Sequence, residues 1–127
     1  MVEITSLQNE LVKRIRSLKH RKYRRREERF WVEGIRIVLE ALELHWDIEA
    51  LVWSRELLQS DQVREVIANA LVKKVAVSER IFRELSDRGS PQGLGALVRI
   101  PKRSLDDLTV GPETFLSVLE EPQNPGN

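Results

Sequence analysis

The sequence predicts an α/β domain in which helices pack on a substantially parallel β-sheet. Short apolar runs alternate along the chain with stretches of about ten residues in which apolar side chains recur every three or four positions. The first pattern is typical of buried strands and the second of amphipathic helices. The 127 residues suit one such domain, and the 41% hydrophobic and 32% charged content is that of an ordinary globular protein.

The first element is predicted to be an amphipathic helix near the amino terminus. Thr5 or Ser6 can serve as its N-cap, because a hydroxyl oxygen accepts a hydrogen bond from a free N–H of the first turn. Apolar residues then recur on one face, at Leu7, Leu11, Ile15 and Leu18. A further helical turn or a loop is expected to carry the chain through residues 21–29.

Strands and helices alternate after this basic segment. The predicted strands are residues 30–33, 48–53, 72–77 and 94–100. Residues 35–44 show the apolar spacing of a helix. Two more helices are expected to begin near Ser60 and at Ser78, which are good N-cap residues, and Gly89 is expected to cap the end of the second of these.

The residues that follow Pro101 are predicted to leave this domain. Residues 102–113 show little periodicity, follow Pro101 and contain Pro112 near their end, which is typical of an interdomain linker. Residues 115–119 indicate a strand buried on both faces, and the turn Asn-Pro-Gly-Asn follows at 124–127. Because a buried strand needs neighbours, we expect residues 1–101 to form the first domain and residues 114–127 to begin a second one that this chain does not complete.

Charge is distributed unevenly along the chain. Residues 1–29 contain ten Lys and Arg against four Asp and Glu, a net charge of +6, whereas residues 30–127 carry a net charge of −5. So many like charges repel one another unless a polyanion neutralises them, which predicts a nucleic-acid-binding surface. A solvated helix face is the alternative. The candidate contacts are Lys13, Arg16, Lys19, Arg21, Lys22, Tyr23 as a stacking ring, Arg24, Arg25, Arg26 and Arg29.

A glycine-rich loop is predicted at residues 87–95. Gly93 and Gly95 permit close approach of another backbone, and the Gln92 amide can either read a base edge or hold the loop in place. A tight structural turn explains the same composition without any ligand, so both interpretations stay open.

Several classes of site find no support in the sequence. There is no cysteine, which excludes disulfides and cysteine-ligated zinc, and His20 and His45 lack partners at ligand spacing, so we expect no metal. No dinucleotide-binding glycine motif, Walker loop or nucleophile elbow occurs. Without a membrane-length apolar run or a signal segment, we expect a cytoplasmic protein with no membrane partner. The tryptophans are expected to pack in the core or at its rim: Trp31, Trp46 and Trp53.

Three motifs give the sequence a specific resemblance. After the basic amino-terminal helix come Phe-Trp-Val-Glu-Gly at 30–34, Ser-Pro-Gln-Gly at 90–93 and Glu-Pro-Gln-Asn-Pro-Gly-Asn at 121–127. In this order they resemble the SpoU (TrmH) family of RNA ribose 2′-O-methyltransferases over essentially the whole chain. The resemblance implies an amino-terminal substrate-recognition domain with the three-layer α/β/α sandwich of kink-turn-binding ribosomal proteins. It also implies a carboxyl-terminal SPOUT domain, knotted and dimeric, that binds S-adenosylmethionine.

The resemblance further implies how the site is divided. Asn127 matches the asparagine of the family's first catalytic motif, and the later motifs lie beyond it, so this chain alone is expected to be an inactive monomer that binds no S-adenosylmethionine. The expected ligand is structured RNA, either rRNA or tRNA. By analogy of fold, the RNA site is framed by Glu33, Gly34, Arg36, Ser90, Pro91, Gln92 and Gly93. A stand-alone RNA-binding adaptor and a protein-interaction domain with a basic arm are the alternatives.

Overall fold

A computed structural model describes residues 2–123, which form a five-stranded sheet flanked by helices. The strands are β1 (Glu3–Ile4), β2 (Arg29–Glu33), β3 (Ile48–Ser54), β4 (Lys74–Val77) and β5 (Leu94–Arg99). The helices are α1 (Glu10–Ser17), α2 (Arg21–Glu27), α3 (Ile35–Glu43), α4 (Asp61–Asn69) and α5 (Glu79–Leu85). None of these helices is long and apolar enough to cross a membrane.

The sheet is mixed rather than substantially parallel, with strand order β1-β4-β3-β5-β2. Strands β1, β4 and β3 are parallel, whereas β5 runs antiparallel to both β3 and β2. The expectation of a parallel sheet was wrong for β5. A parallel β5 would have to start at the edge of the sheet where β2, β3 and β4 start, and the chain does not return to that edge before this strand. Helix α5 spans only about 10 Å, and residues 86–93, here called the α5–β5 loop, return the chain to the edge where β2, β3 and β4 end. We call this edge the carboxyl edge.

Two apolar cores confirm the α/β/α layering. On one face of the sheet, α1 and α5 bury Ile15 and Phe82 completely or nearly so, and Trp31 packs there against Phe82 with 6.2 Å between ring centroids. On the other face, α3 and α4 bury Val38 and Ile67. Each sheet face thus carries a pair of helices, which is the arrangement that the resemblance implied.

The amino-terminal cap differs from the prediction. Asn9, not Thr5 or Ser6, caps α1, and its Oδ1 accepts from the N–H groups of Leu11 at 2.9 Å and Val12 at 3.4 Å. Residues 3–4, before Thr5, form β1, and the Ile4 carbonyl of this strand accepts a 2.9 Å hydrogen bond from the Ser78 N–H. Two residues carry no periodicity, so this strand could not be seen in the sequence.

The later helix starts were predicted well and one helix end was not. Ser60 and Ser78 cap α4 and α5 as expected, each accepting from a backbone N–H three residues on. Helix α5 ends at Leu85 rather than at Gly89, because Ser86 adopts an extended conformation and its hydroxyl donates to Glu33.

Residues 102–123 lie outside the sheet and contain one short 3₁₀ helix, Leu105–Asp107. Residues 115–119, expected to be a strand, are not a strand here, and Phe115 and Val118 are 91% and 92% exposed. A strand exists only where another strand pairs with it, and no strand among residues 2–123 does so. Whether these residues begin a second domain stays a prediction.

Candidate nucleic-acid interface

Helix α2 is a basic helix with four exposed and three partly exposed residues, and it buries none of them fully. What holds it in place is Arg24, whose Nη1 donates to the carbonyls of Leu18 at 2.8 Å and Lys19 at 3.0 Å. These carbonyls lie at the carboxyl-terminal end of α1, where carbonyl groups without helical partners carry partial negative charge and favour a cation. Arg24 therefore fixes the corner between α1 and α2 with the atoms that a phosphate would otherwise contact.

Arg29 is also committed to the structure. Its Nε lies 3.1 Å from Glu49 Oε2, and its Nη1 donates to the carbonyls of Glu27 and Glu28. The side chain is only 21% exposed. Although Arg29 was expected to contact the ligand, its hydrogen bonds tie the end of α2 to the sheet.

Glu49 is the anion on which this corner converges. Its carboxylate lies 3.3 Å from Arg14 and 3.8 Å from Arg99 as well as next to Arg29. Partial burial acts to raise the pKa of Glu49, but the hydrogen bond from Arg29 and the charges of the three arginines outweigh it, so the pKa lies below the usual glutamate value. The three arginines join α1, β2 and β5, and sequence reasoning missed this network. An acidic residue inside the apolar run of β3 was the signal for it.

The remaining cations of this region are available to a ligand. Among residues 2–123, five of them form no ion pair: Arg16, Arg21, Lys22, Arg25 and Arg26. We call these five residues the cationic cluster. Within the described part of the chain, the one ion-pair partner of Lys13 is the exposed Glu10 at 3.4 Å, and such a pair contributes little in solvent.

Tyr23 lies among these charges. The Arg26 guanidinium carbon is 5.2 Å and the Lys22 Nζ 5.7 Å from its ring centroid, which are cation–π distances. The ring is partly exposed. A base that stacked on Tyr23 would have to share the ring with these two cations.

Lys19 links the basic region to the α5–β5 loop. Its Nζ lies 3.5 Å from Asp87 Oδ1 and donates to the carbonyl of Glu84 at 3.4 Å. The two candidate regions, more than sixty residues apart in sequence, are therefore neighbours in space.

Glu33 holds the α5–β5 loop from the end of β2. Its carboxylate accepts from Ser86 Oγ at 2.6 Å and from the Asp87 N–H at 2.8 Å, while Arg88 donates to its backbone carbonyl. Both oxygens are occupied by loop donors. Glu33 thus fixes the loop in position, and Asp87 and Arg88 are participants that the sequence did not reveal.

Gln92 holds the same loop from its other end. The Oε1 atom accepts a 2.8 Å bond from the Ile35 N–H, in the first turn of α3. Gly34, with φ of 117°, donates to the Leu94 carbonyl, and a Cβ at Gly34 would lie 3.1 Å from the Arg88 guanidinium. Of the two roles left open for Gln92, the structure shows the one that holds the loop.

The other predicted loop residues divide by burial. Gly34, Pro91 and Gly93 are buried and shape the loop, whereas Ser90 and Arg36 are exposed. Arg36, Arg88 and Gln92 border a depression of about 310 Å³. The predicted catalytic Asn127 lies outside the described residues.

These features define an α/β/α recognition domain with a basic helix and, at the carboxyl edge, a loop held by hydrogen bonds that Glu33 and Gln92 accept. Residues 9–96 match the family described as the MRM3-like substrate binding domain, and the chain belongs to this family. The resemblance to the SpoU (TrmH) methyltransferases is thereby confirmed.

Three relatives show the extent of the similarity. A 23S rRNA (uridine(2479)-2′-O)-methyltransferase of Streptomyces viridochromogenes is 30% identical over 112 residues, which is 87% of this chain and 39% of the relative. The crystal structure of an RNA 2′-O ribose methyltransferase is 33% identical with a TM-score of 0.73, over 90% of this chain and 43% of the other. The SpoU methyltransferase AviRb from Streptomyces viridochromogenes, in complex with AdoMet, is 26% identical with a TM-score of 0.65, over 81% and 38% of the two chains. The chain spans less than half the length of each relative.

Proposed function

We propose that this chain binds structured RNA, either rRNA or tRNA, and presents it for ribose 2′-O-methylation by the remainder of a longer protein. The observation that supports this most is the cationic cluster, which lacks anionic partners among residues 2–123 although Glu49 and Asp87 neutralise its neighbours. The arginines that have partners within the fold hold α1 and α2 in position, and those without anionic partners are available to contact phosphates. In this proposal the phosphate contacts supply affinity and position the RNA, and the loop at Gln92 recognises the shape of the RNA.

The methyl-transfer step belongs to the rest of the protein in this proposal. S-adenosylmethionine needs a concave pocket with convergent polar groups. A wide groove of about 850 Å³ between the carboxyl-terminal halves of α3 and α4 is not an enclosed pocket of this kind, because Val66 and Leu71 in its lining are 48% and 102% exposed. We therefore expect calorimetric titration of this chain with S-adenosylmethionine to show no binding, and a saturable isotherm would contradict this division.

The assembly and location follow the same division. We propose that the longer protein dimerises through the part that follows residue 113 and that this chain alone is a monomer in dilute solution. A cytoplasmic location, expected from the sequence, belongs to the same proposal.

The test is the salt dependence of RNA binding. Replacing Arg25 and Arg26 by glutamine should weaken binding of both a 23S rRNA transcript and a tRNA transcript. It should also lower the slope of log K against log salt by about 0.7–0.9 for each phosphate that the variant no longer neutralises. The matched control replaces two exposed cations outside this region, Lys73 and Arg103, by glutamine. It should change neither the affinity nor the salt slope.

Two further results sharpen this test. Arg24→Gln should weaken binding and also lower the melting temperature, because Arg24 ties α2 to α1. An acidic protein partner, one of the two alternatives, would give the same charge dependence with an acidic polypeptide such as polyglutamate. Equal affinity for polyglutamate and RNA, or an unchanged slope in the Arg25 and Arg26 variant, would overturn the proposal.

A further inference from the structure

A second surface with cations around an apolar slot lies beside the end of β3. The slot has a volume of about 260 Å³ and is lined by Trp53, Arg64, Ile67, Ala68 and Lys74. Trp53 stands at the carboxyl edge of the sheet, and the other residues come from α4 and the start of β4. An aromatic ring that lines an apolar slot is a surface on which a flat aromatic ligand can stack.

The cations at this slot are held in defined positions. Arg64 donates from Nε to the Leu58 carbonyl at 2.7 Å and from Nη2 to the Arg55 carbonyl at 2.6 Å. Lys74 Nζ donates to the Ala68 carbonyl at 2.9 Å. Because their charged groups are tied to the main chain, both side chains can line the slot with their aliphatic carbons while positive charge stays at its border.

Arg55 adds an exposed cation to the same place. Its guanidinium carbon lies 6.0 Å from the Trp53 ring centroid, and its side chain makes no hydrogen bond or ion pair with residues 2–123. The slot thus offers an aromatic ring that Arg55 already contacts, so a base that stacked on Trp53 would share the ring with this guanidinium. This pairing suits a nucleobase joined to a phosphate, since the base stacks and the phosphate meets the guanidinium.

The slot adjoins the candidate RNA interface through the α5–β5 loop. The Ser54 N–H, directly after Trp53, donates to the Gly93 carbonyl at 2.9 Å, and Trp53 is paired with Leu94. Gly93 packs so closely on the segment after β3 that a Cβ there would lie 2.6 Å from Leu57 Cβ. RNA that lay across the loop at Gln92 would therefore reach the Trp53 slot without leaving the carboxyl edge.

From these contacts we propose that the slot binds an unpaired nucleobase of the RNA, which stacks on Trp53 while Arg55 contacts the adjoining phosphate. This inference rests on the proposed function, since it assigns a second contact to the same ligand. It adds a preference for RNA with unpaired bases, which the cationic cluster alone does not give, because phosphates are common to paired and unpaired strands.

The experiment compares two RNA probes with equal numbers of phosphates, a hairpin with a large unpaired loop and a blunt, fully paired duplex. Trp53→Leu keeps an apolar side chain but removes the ring, and it should weaken hairpin binding about 5- to 100-fold. Duplex binding should change by less than about twofold, because a fully paired strand offers no free base to stack on the ring. The matched control is Trp46→Leu, which alters an exposed tryptophan outside the slot and should affect neither probe.

Arg55→Gln provides a second variant that does not depend on core packing, because Arg55 is exposed. It should weaken hairpin binding more than duplex binding, and Trp53→Phe should retain most of the hairpin affinity. Free AMP, which carries a base and a phosphate outside RNA, should bind far more weakly than the hairpin. Unchanged hairpin affinity in both folded variants, Trp53→Leu and Arg55→Gln, overturns this inference, as does AMP binding equal to that of the hairpin. If the unaltered chain binds neither RNA, the proposed function itself has failed.

Discussion

Gln92 and Ile35 are joined by a 2.8 Å hydrogen bond from the backbone N–H of Ile35 to the side-chain oxygen of Gln92. The first N–H groups of a helix lack partners within the helix, and Gly34, which precedes α3, has no side chain to supply one. Gln92 therefore caps α3 from 57 residues away in sequence. The same bond sets the position of the α5–β5 loop, so one side chain couples helix stability to the shape of the candidate interface.

The first prediction separates these two roles of Gln92. Gln92→Glu keeps an acceptor at the positive end of α3 and should leave the free energy of unfolding unchanged or raise it by about 0.3–1 kcal/mol. Gln92→Ala removes the cap and should lower it by about 0.5–2 kcal/mol. Urea denaturation measures both changes.

The effect of the Gln92→Glu substitution on RNA binding should differ from its effect on stability. The added negative charge of Gln92→Glu should weaken binding although the fold is intact, because it repels phosphates at the loop. RNA binding by the glutamate variant as tight as that of wild type would show that this loop does not face the RNA.

The second prediction concerns pH and Glu49. Its pKa is lowered in the folded state, so its ion pairs contribute fully above the ordinary glutamate value of about 4.3 and are lost as pH falls through the lower, folded value. Glu49→Gln should therefore destabilise the protein at neutral pH, by about 1.5–3 kcal/mol for loss of hydrogen bonds to a charged group. The stability difference between the two proteins should shrink as the pH is lowered below about 4.3. A difference that is constant from neutral pH into that acidic range would contradict the lowered pKa.

The third prediction uses two glycines of the same loop region. Gly93 has φ of 83°, and a Cβ there would lie 2.6 Å from Leu57 Cβ and 2.7 Å from the Leu58 nitrogen. Gly93→Ala should therefore cost at least about 1–3 kcal/mol of stability. The matched control is Gly89→Ala, because none of the described residues apart from its chain neighbours lies within 4 Å of a Cβ there, and it should be neutral or slightly stabilising. Equal melting temperatures for the two variants would show that the loop packs differently.

What the sequence could predict was local. Ser60 and Ser78 were identified as caps because an N-cap and the apolar spacing after it lie within one helical turn or two. The pairing of β1 with β4 joins residues more than seventy positions apart, and a two-residue strand leaves no pattern. The antiparallel β5 was missed because a strand's direction depends on where the preceding loop returns the chain, which apolar spacing does not record.

The candidate site shows the same limit. Composition located the basic segment, but it gave Arg24 and Arg29 the same role as Arg25 and Arg26. The difference arises from the carbonyls of Leu18 and Lys19 and from Glu49, which only the folded chain brings to these guanidinium groups. For Gln92, the sequence could name both roles but not choose between them.

The last prediction tests the domain boundary. Residues 104–123 are exposed throughout, and Leu105, Phe115 and Leu119 bury little of their side chains. They therefore contribute little to the cores, and a chain that ends at Arg103 should melt within a few degrees of the full 127 residues. Because exposed apolar side chains favour association, the shorter chain should also self-associate less, which analytical ultracentrifugation can measure. A fall in melting temperature of many degrees would mean that residues 104–127 belong to the core of this domain and that the boundary near Pro101 is misplaced.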